Sequence, residues 1–185
     1  MTLSFPRSLN FGLVLFAAFS VALTASAQSQ SYAGPEPVPY PPPIVAPAET
    51  PYPGTIQLLV DLTDNARRIA SVHETVPVAR GELTLLYPQW IPGNHSPTGP
   101  ISKIGGLTVT AAGKRIQWVR DPVNVYAFHI PVPAGVNQVD VDFQFLSPLR
   151  AREGRISISD EIADLAWNTV VLYPAGHFSR DIHFA

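Results

Sequence analysis

The chain contains no cysteine. This absence excludes a disulfide framework, a thiol nucleophile and lipid attachment through an N-terminal cysteine. Charged residues are also scarce, at 14% of the sequence, and the 12 basic residues are outnumbered by 14 acidic ones. Because nucleic-acid binding requires a basic face, we expect no nucleic acid as a partner.

The longest apolar run, residues 11–23, lies near the N-terminus. Arg7 precedes it without any acidic residue, and Thr24-Ala25-Ser26-Ala27 follows it. The run is too short for the roughly 20 residues that a membrane-spanning helix needs. The pattern therefore predicts a signal peptide over 1–27, cleaved after Ala27, and a periplasmic or secreted protein without membrane attachment after cleavage.

Nine prolines fall within residues 28–53. Proline cannot donate a backbone hydrogen bond, so this stretch predicts an extended, disordered linker rather than part of a sheet. A proline motif that binds a partner is the alternative use of the same composition.

From residue 54 onward the apolar residues recur with a period of two, which is typical of strands with one buried face. In residues 139–145, valine and phenylalanine share one face while aspartate and glutamine share the other. Ala112-Gly113-Lys114 predicts a hairpin, because glycine accepts the positive φ of a tight turn. The predicted strands are 55–62, 67–76, 82–87, 107–111, 115–119, 123–132, 139–145 and 165–173, the last one buried around Trp167.

One short stretch, 159–163, predicts a single helical turn capped by Ser159 or Asp160. No long helix is available to cover a parallel sheet, so residues 54–185 predict an all-β domain: an antiparallel β-sandwich of about seven or eight short strands. Residues 181–185 begin a further alternation. Because a strand without a neighbour exposes an unpaired edge, we expect either a truncated domain or a strand that is simply the last one.

The chain has five histidines, namely His73, His95, His129, His177 and His183. No two of them have the four-residue spacing that places two imidazoles on one helix face. Residues 73–77 begin like the zincin motif H-E-x-x-H, but Pro77 replaces the second histidine and is incompatible with a helix interior. The segment predicts a strand end, and we predict neither a metal site, a cofactor nor a catalytic residue in this chain.

Serine and acidic residues provide no better catalytic pattern. Ser96 follows His95, but neighbours in sequence are not a catalytic triad, and the nucleophile elbow G-x-S-x-G is absent. Asp140 and Asp142 share the polar face of one predicted strand, where we expect them to contribute solubility.

The most distinctive segment is residues 87–100, with four prolines and two glycines. Pro92-Gly93 fits the centre of a type II turn, since proline fixes φ and glycine accepts the positive φ that follows. The candidate binding residues of this loop are Trp90, Asn94, His95 and Ser96. The structural alternative is that Trp90 fills the sandwich core and His95 hydrogen-bonds the loop backbone.

Further turn and core motifs follow this loop: Gly105-Gly106-Leu107, Ala112-Gly113-Lys114-Arg115, Trp118-Val119-Arg120-Asp121-Pro122, Tyr126-Ala127-Phe128-His129, Pro133-Ala134-Gly135-Val136, Phe143-Gln144-Phe145-Leu146-Ser147-Pro148 and Leu172-Tyr173-Pro174-Ala175-Gly176. In this order, and over residues 52–185, they resemble the N-terminal domain of the glycyl aminopeptidase family, peptidase family M sixty-one.

The resemblance implies an exported zinc aminopeptidase with a β-rich N-terminal domain, a helical catalytic domain carrying H-E-x-x-H and often a PDZ domain. In that family zinc activates a water and the motif glutamate is the general base. Those residues would lie beyond Ala185, so we expect a non-catalytic, truncated N-terminal domain without zinc of its own, packing beside the catalytic domain and the substrate cleft. A free-standing periplasmic peptide- or glycan-binding β module is the alternative.

Overall fold

The computed structural model describes residues 43–79 and 81–185, together with Gly34, Pro35, Pro37 and Tyr40. The predicted signal peptide and much of the predicted linker lie outside the described residues. The described part consists of strands and five short 3-10 helices, and no α-helix is present in it. None of the helices in this part has the length and hydropathy needed to cross a membrane.

In the described part of the chain, ten strands form two sheets. They are β1 (Thr55–Asp61), β2 (Ile69–Pro77), β3 (Gly81–Leu86), β4 (Ile104–Ala111), β5 (Lys114–Ile116), β6 (Val119–Arg120), β7 (Ala127–Val132), β8 (Gln138–Leu146), β9 (Tyr173–Pro174) and β10 (His183–Phe184). The larger sheet has the order β10-β1-β2-β8-β4-β5 and the smaller has the order β6-β7-β3-β9. All neighbouring strands are antiparallel except β1 and β10, which are parallel.

The alternating sequence of β8 explains the centre of the larger sheet. Val139, Val141 and Phe143 are buried, whereas Asp142 and Gln144 are exposed. Buried residues of both sheets belong to one hydrophobic cluster, including Val72, Val76 and Val141 from the larger sheet and Leu85, Phe128 and Ile130 from the smaller. The predicted all-β sandwich is confirmed, with its core between the two sheets.

Turn chemistry accounts for the β4–β5 hairpin, which was predicted. Ala112 and Gly113 both have positive φ, at 48° and 73°, as a two-residue hairpin turn requires. The strand predicted over 115–119 is divided, however. Residues up to Ile116 pair with β4, whereas Val119 and Arg120 pair with β7 in the other sheet.

The strand predicted over 123–132 begins only at Ala127. Asp121 Oδ1 accepts the backbone N–H groups of Val123 and Asn124, each at 2.8 Å, and the Asn124 side chain accepts the N–H of Tyr126 at 3.1 Å. Side chains therefore satisfy backbone donors that a strand would pair, and a turn replaces the first part of the strand.

Two other predictions are wrong. The buried strand over 165–173 is instead a 3-10 helix at Trp167–Thr169 followed by an irregular run to β9, and Trp167 is 67% exposed. The helical turn at 159–163 is a bend, because Ile158 and Ala163 form an antiparallel bridge and Ser159 Oγ accepts the N–H of Ile162 at 3.1 Å.

Both ends of the domain contact its body. In β10, His183 and Phe184 pair with Thr55 and Ile56, so the predicted final strand is present and has a neighbour; truncation stays a prediction. The last part of the predicted linker also makes contacts, since Glu49 accepts two hydrogen bonds from Arg180, at 2.6 and 2.7 Å. The description of 28–53 as a linker otherwise stays a prediction.

Candidate binding groove

An open groove of about 600 Å³ lies between the loop that follows β3 and the segment that precedes β9. Two of its exposed side chains are tryptophans, Trp90 and Trp167, which are 63% and 67% exposed. Val171, Tyr173 and Phe184 add apolar surface. We call the residues 88–100 the tryptophan loop and the residues 167–173 the second wall.

The polar groups of the groove are uncharged. Gln89 and Asn168 supply side-chain amides, Ser179 and Tyr173 supply hydroxyls, and none of the eleven described residues that line the groove is charged. Such a surface fits an uncharged, largely apolar partner rather than a charged ligand.

The tryptophan loop is closed by its own hydrogen bonds. The N–H of Asn94 donates to the carbonyl of Ile91 at 3.0 Å, and Gly93 has a φ of +88°, which confirms the predicted turn at Pro92-Gly93. At the base of the loop, the N–H of Gly99 donates to the carbonyl of Gln89 at 2.9 Å. The turn and the closure of the loop therefore depend on hydrogen bonds between residues of the loop itself.

Gly99 is required by close packing of the loop backbone. A Cβ atom at this position would lie 1.9 Å from the carbonyl oxygen of Pro88, well inside any van der Waals distance. The hydroxyl of Tyr126 lies 3.2 Å from the carbonyl oxygens of both Pro97 and Gly99 and donates to them. The loop base is thus narrow and supported by one side chain from outside the loop.

The second wall is held from the core instead. The N–H of Leu172 donates to Glu74 Oε1 at 2.8 Å, and the hydroxyl of Tyr87 donates to the carbonyl of Thr169 at 3.0 Å. Glu74 and Tyr87 have no exposed surface. These two buried polar side chains replace the neighbouring strand that was expected to satisfy the backbone of this segment.

Burial dominates the electrostatics of both anchors. It raises the pKa of Glu74 from 4.5 to about 8, although the hydrogen bond from Leu172 acts in the opposite direction. Burial also raises the pKa of Tyr87 above its ordinary value, with a smaller contribution from Tyr126. Glu74 Oε2 has no hydrogen-bond partner among the described residues. Burial of the Glu74 carboxyl therefore favours its protonated form at neutral pH.

Sequence reasoning missed Glu74 as an anchor, although a signal was present. In β2 the alternation places Glu74 in phase with Ala70, Val72 and Val76, all of which are buried. A carboxyl in that phase has to face the core, where it needs a backbone or side-chain partner.

The predicted binding residues do not all share one site. Trp90 lines the groove and does not fill the core, so the structural alternative for it is wrong. Asn94, His95 and Ser96 are exposed in the outer part of the tryptophan loop, outside the groove lining. Asn94 Nδ2 donates to Thr98 Oγ1 at 2.7 Å. Binding by these residues stays a prediction.

The residues that imitate a zinc motif do not fit a zinc centre. His73 and Glu74 are consecutive in β2, so their side chains point to opposite faces of the sheet. His73 Nδ1 lies 2.8 Å from Asp142 Oδ1 on the polar face, whereas Glu74 is in the core. Across residues 43–79 and 81–185, no three histidine, aspartate or glutamate side chains are grouped so as to hold a metal ion.

A second polar cluster has a structural role. His129 lies between Asp121 and Glu82, with 2.9 Å from each ring nitrogen to a carboxylate oxygen. The pKa of Asp121 is lowered, first by the N–H of Asn124 and then by His129. This cluster joins β3 and β7 to the turn that shortens the strand predicted over 123–132.

The comparisons with known proteins agree with this architecture. The model of the Peptidase M61 N-terminal domain matches residues 57–185, and no curated protein sequence matches the chain. An aminopeptidase N family protein from Idiomarina loihiensis has a similar fold, with a TM-score of 0.52 and 17% sequence identity. That similarity covers 65% of this chain and 20% of the other, so the chain spans about a fifth of that protein's length. The family match covers most of the sequence and confirms the resemblance found in the motifs: the chain belongs to the Peptidase M61 N-terminal domain family.

Proposed function

We propose that this chain is the non-catalytic N-terminal domain of an exported zinc aminopeptidase of the glycyl aminopeptidase type, and that it packs beside the catalytic domain and the substrate cleft. The family match over residues 57–185 carries this proposal. Export is proposed from the charge and hydropathy pattern of residues 1–27.

The absence of catalysis is proposed from the side-chain arrangement. Hydrolysis by a zinc peptidase requires ligands that converge on the metal and a carboxylate next to the bound water. His73 and Glu74 are separated by the sheet, and Glu74 is committed to Leu172. We therefore assign no step of zinc chemistry to the residues of this chain.

An activity measurement tests the catalytic part of the proposal. Residues 28–185, purified and supplied with zinc, should hydrolyse glycyl and alanyl p-nitroanilides no faster than buffer does. A chelator-treated sample is the control for metal dependence. Zinc-dependent turnover that the chelator abolishes would contradict the proposal.

The genomic sequence downstream of the codon for Ala185 tests the domain assignment. An H-E-x-x-H segment in any reading frame supports a peptidase domain as the neighbour of this one. An unrelated gene at that place favours the second candidate below.

The second candidate is a free-standing periplasmic module that binds a peptide or a glycan. The observation in its favour is the pair of exposed tryptophans in one groove with amide side chains nearby, because aromatic rings combined with a few polar groups are a common recognition surface. Tryptophan fluorescence during titration with neutral oligosaccharides or peptides separates the two functions. Saturable binding that Trp90→Ala abolishes would favour the module.

A further inference from the structure

We propose that the groove between the tryptophan loop and the second wall is the surface through which this domain docks on the catalytic domain, with Trp90 and Trp167 as the anchoring side chains. The inference rests on the proposed function and adds the location and the chemistry of the interface. The occupant is an apolar, uncharged face of the domain that carries H-E-x-x-H.

The exposure of the groove is the first argument. Trp90 and Trp167 each leave more than 60% of their surface exposed, and Phe184 adds an exposed ring beside them. Folded proteins seldom leave several large apolar side chains together in water, and such patches mark interaction sites. Tryptophan is also the residue type that most often dominates binding energy at protein interfaces.

The chemistry of the groove is the second argument. The centre of a protein interface is rich in aromatic residues and poor in charge, whereas its rim is polar. The described residues that line the groove have this composition, with aromatic and aliphatic side chains, two amides, two hydroxyls and no charged residue. A charged peptide or a nucleic acid would find no ion-pair partner among the described residues that line the groove.

The rigidity of the groove is the third argument. Glu74 and Tyr87 fix the second wall from the core, and the bond between Gly99 and Gln89 closes the tryptophan loop. Walls that are ordered before the partner arrives reduce the entropy lost on docking.

The course of the backbone selects the occupant. Ala185 lies beside the groove, since its carbonyl accepts the N–H of Leu58 at 2.8 Å and its N–H donates to the carbonyl of Ile56 at 3.0 Å. Leu58 and Phe184 both line the groove. In a longer peptidase, the polypeptide that follows this domain would therefore start beside the groove. The next domain could then reach the groove through a short connection.

Site-specific photo-cross-linking in the organism that makes the protein tests this interface. Benzoylphenylalanine is placed at position 90 or, as the matched control, at position 119. Val119 is an apolar side chain of β6 outside the groove lining with the same 63% exposure as Trp90. We expect position 90 to form an adduct with a peptide from the H-E-x-x-H domain, on the same or a separate polypeptide, and position 119 to form none.

A second variant measures the contribution of the other tryptophan. Trp167→Ala should lower the adduct yield at position 90 by about tenfold or more, as expected for an interface anchor. Val119→Ala should leave the yield unchanged within about twofold.

The outcomes separate this inference from the proposed function. Adducts with the H-E-x-x-H domain at position 119 but not at position 90 would overturn the interface and leave the proposed function intact. Adducts at position 90 with a second copy of this domain, or with an unrelated protein, would also overturn the interface. No adduct with an H-E-x-x-H domain from either position would count against both.

Discussion

The tryptophan loop and the second wall each present one exposed tryptophan to the same groove, yet they are held by different interactions. The loop is closed by backbone hydrogen bonds between residues ten or fewer positions apart, such as Gly99 to Gln89. The second wall depends on Glu74 and Tyr87, which are 98 and 82 residues away from their partners. Both segments are irregular, apart from Tyr173 at the end of the second wall, which pairs with Leu86 in the smaller sheet.

The difference shows two ways in which a protein can order a loop. A loop with suitable proline and glycine positions has few alternative conformations and needs little support. A segment without such residues needs partners for its backbone groups, and in this domain those partners are buried polar side chains. Substitutions in the core should therefore alter the second wall, whereas substitutions of the loop glycines should alter the tryptophan loop.

The largest expected effect concerns Glu74 and pH. The folded domain keeps a proton that the unfolded chain releases above pH 4.5, because the pKa rises from 4.5 to about 8 on folding. The contribution of Glu74 to the free energy of unfolding therefore falls as the pH rises from 4.5 to 8, by up to about 5 kcal/mol. Glutamine cannot ionise but can accept the same hydrogen bond from Leu172, so Glu74→Gln should lack this loss.

Urea unfolding of both proteins between pH 4 and pH 9 measures this difference. The stability of Glu74→Gln relative to the wild-type chain should increase across the window and level off above pH 8. Below pH 4.5 the two should agree within about 1 kcal/mol. Parallel pH profiles for the two proteins would show that Glu74 does not hold its proton in the folded state.

An intermediate effect is expected for Gly99→Ala in the tryptophan loop. The new methyl group would overlap the carbonyl oxygen of Pro88, so the loop base has to open, at a cost of about 2–3 kcal/mol. Urea unfolding measures the cost. Gly105→Ala is the matched control, because its Cβ would meet Leu146 Cδ1 at an ordinary 3.8 Å. Equal stability of the two variants would refute the steric argument.

The smallest expected effect compares the same substitution on the two walls. Tyr87→Phe removes a buried hydrogen bond to Thr169 and should cost about 1 kcal/mol. Tyr126→Phe removes the longer bonds to Pro97 and Gly99 at a partly exposed position where water can replace the hydroxyl. Thermal unfolding should rank Tyr87→Phe as the more destabilised variant, and the reverse order would show that the loop also depends on remote support.

Much of the sheet was predictable from residue patterns. The period of two in β8 marked its buried face, and Ala112-Gly113 marked the hairpin, because both depend on neighbours in sequence. The prediction of a strand over 165–173 was wrong for a physical reason. Its apolar, β-branched residues fit a strand as well as they fit the irregular segment that is observed. The difference comes from the tertiary structure, in which Glu74 accepts the N–H of Leu172 and Tyr87 donates to the carbonyl of Thr169.

The candidate site was predictable only in part. Trp90 and the turn at Pro92-Gly93 belong to one short segment whose proline and glycine content marks a presented loop. Trp167, Tyr173 and Phe184 reach the groove from positions at least 77 residues further along the chain, and no local pattern relates them to Trp90. Asn94, His95 and Ser96 are close to Trp90 in sequence but lie outside the groove.

Local sequence was therefore sufficient for most of the strands, the tight turns, the membership of an all-β class and the family motifs, since each depends on backbone preferences and on the alternation of neighbouring side chains. Tertiary packing alone decided which tryptophans are exposed, where Glu74 places its carboxyl and which distant segments form one groove. These features depend on burial and on partners for backbone groups, and both are set only when the two sheets come together.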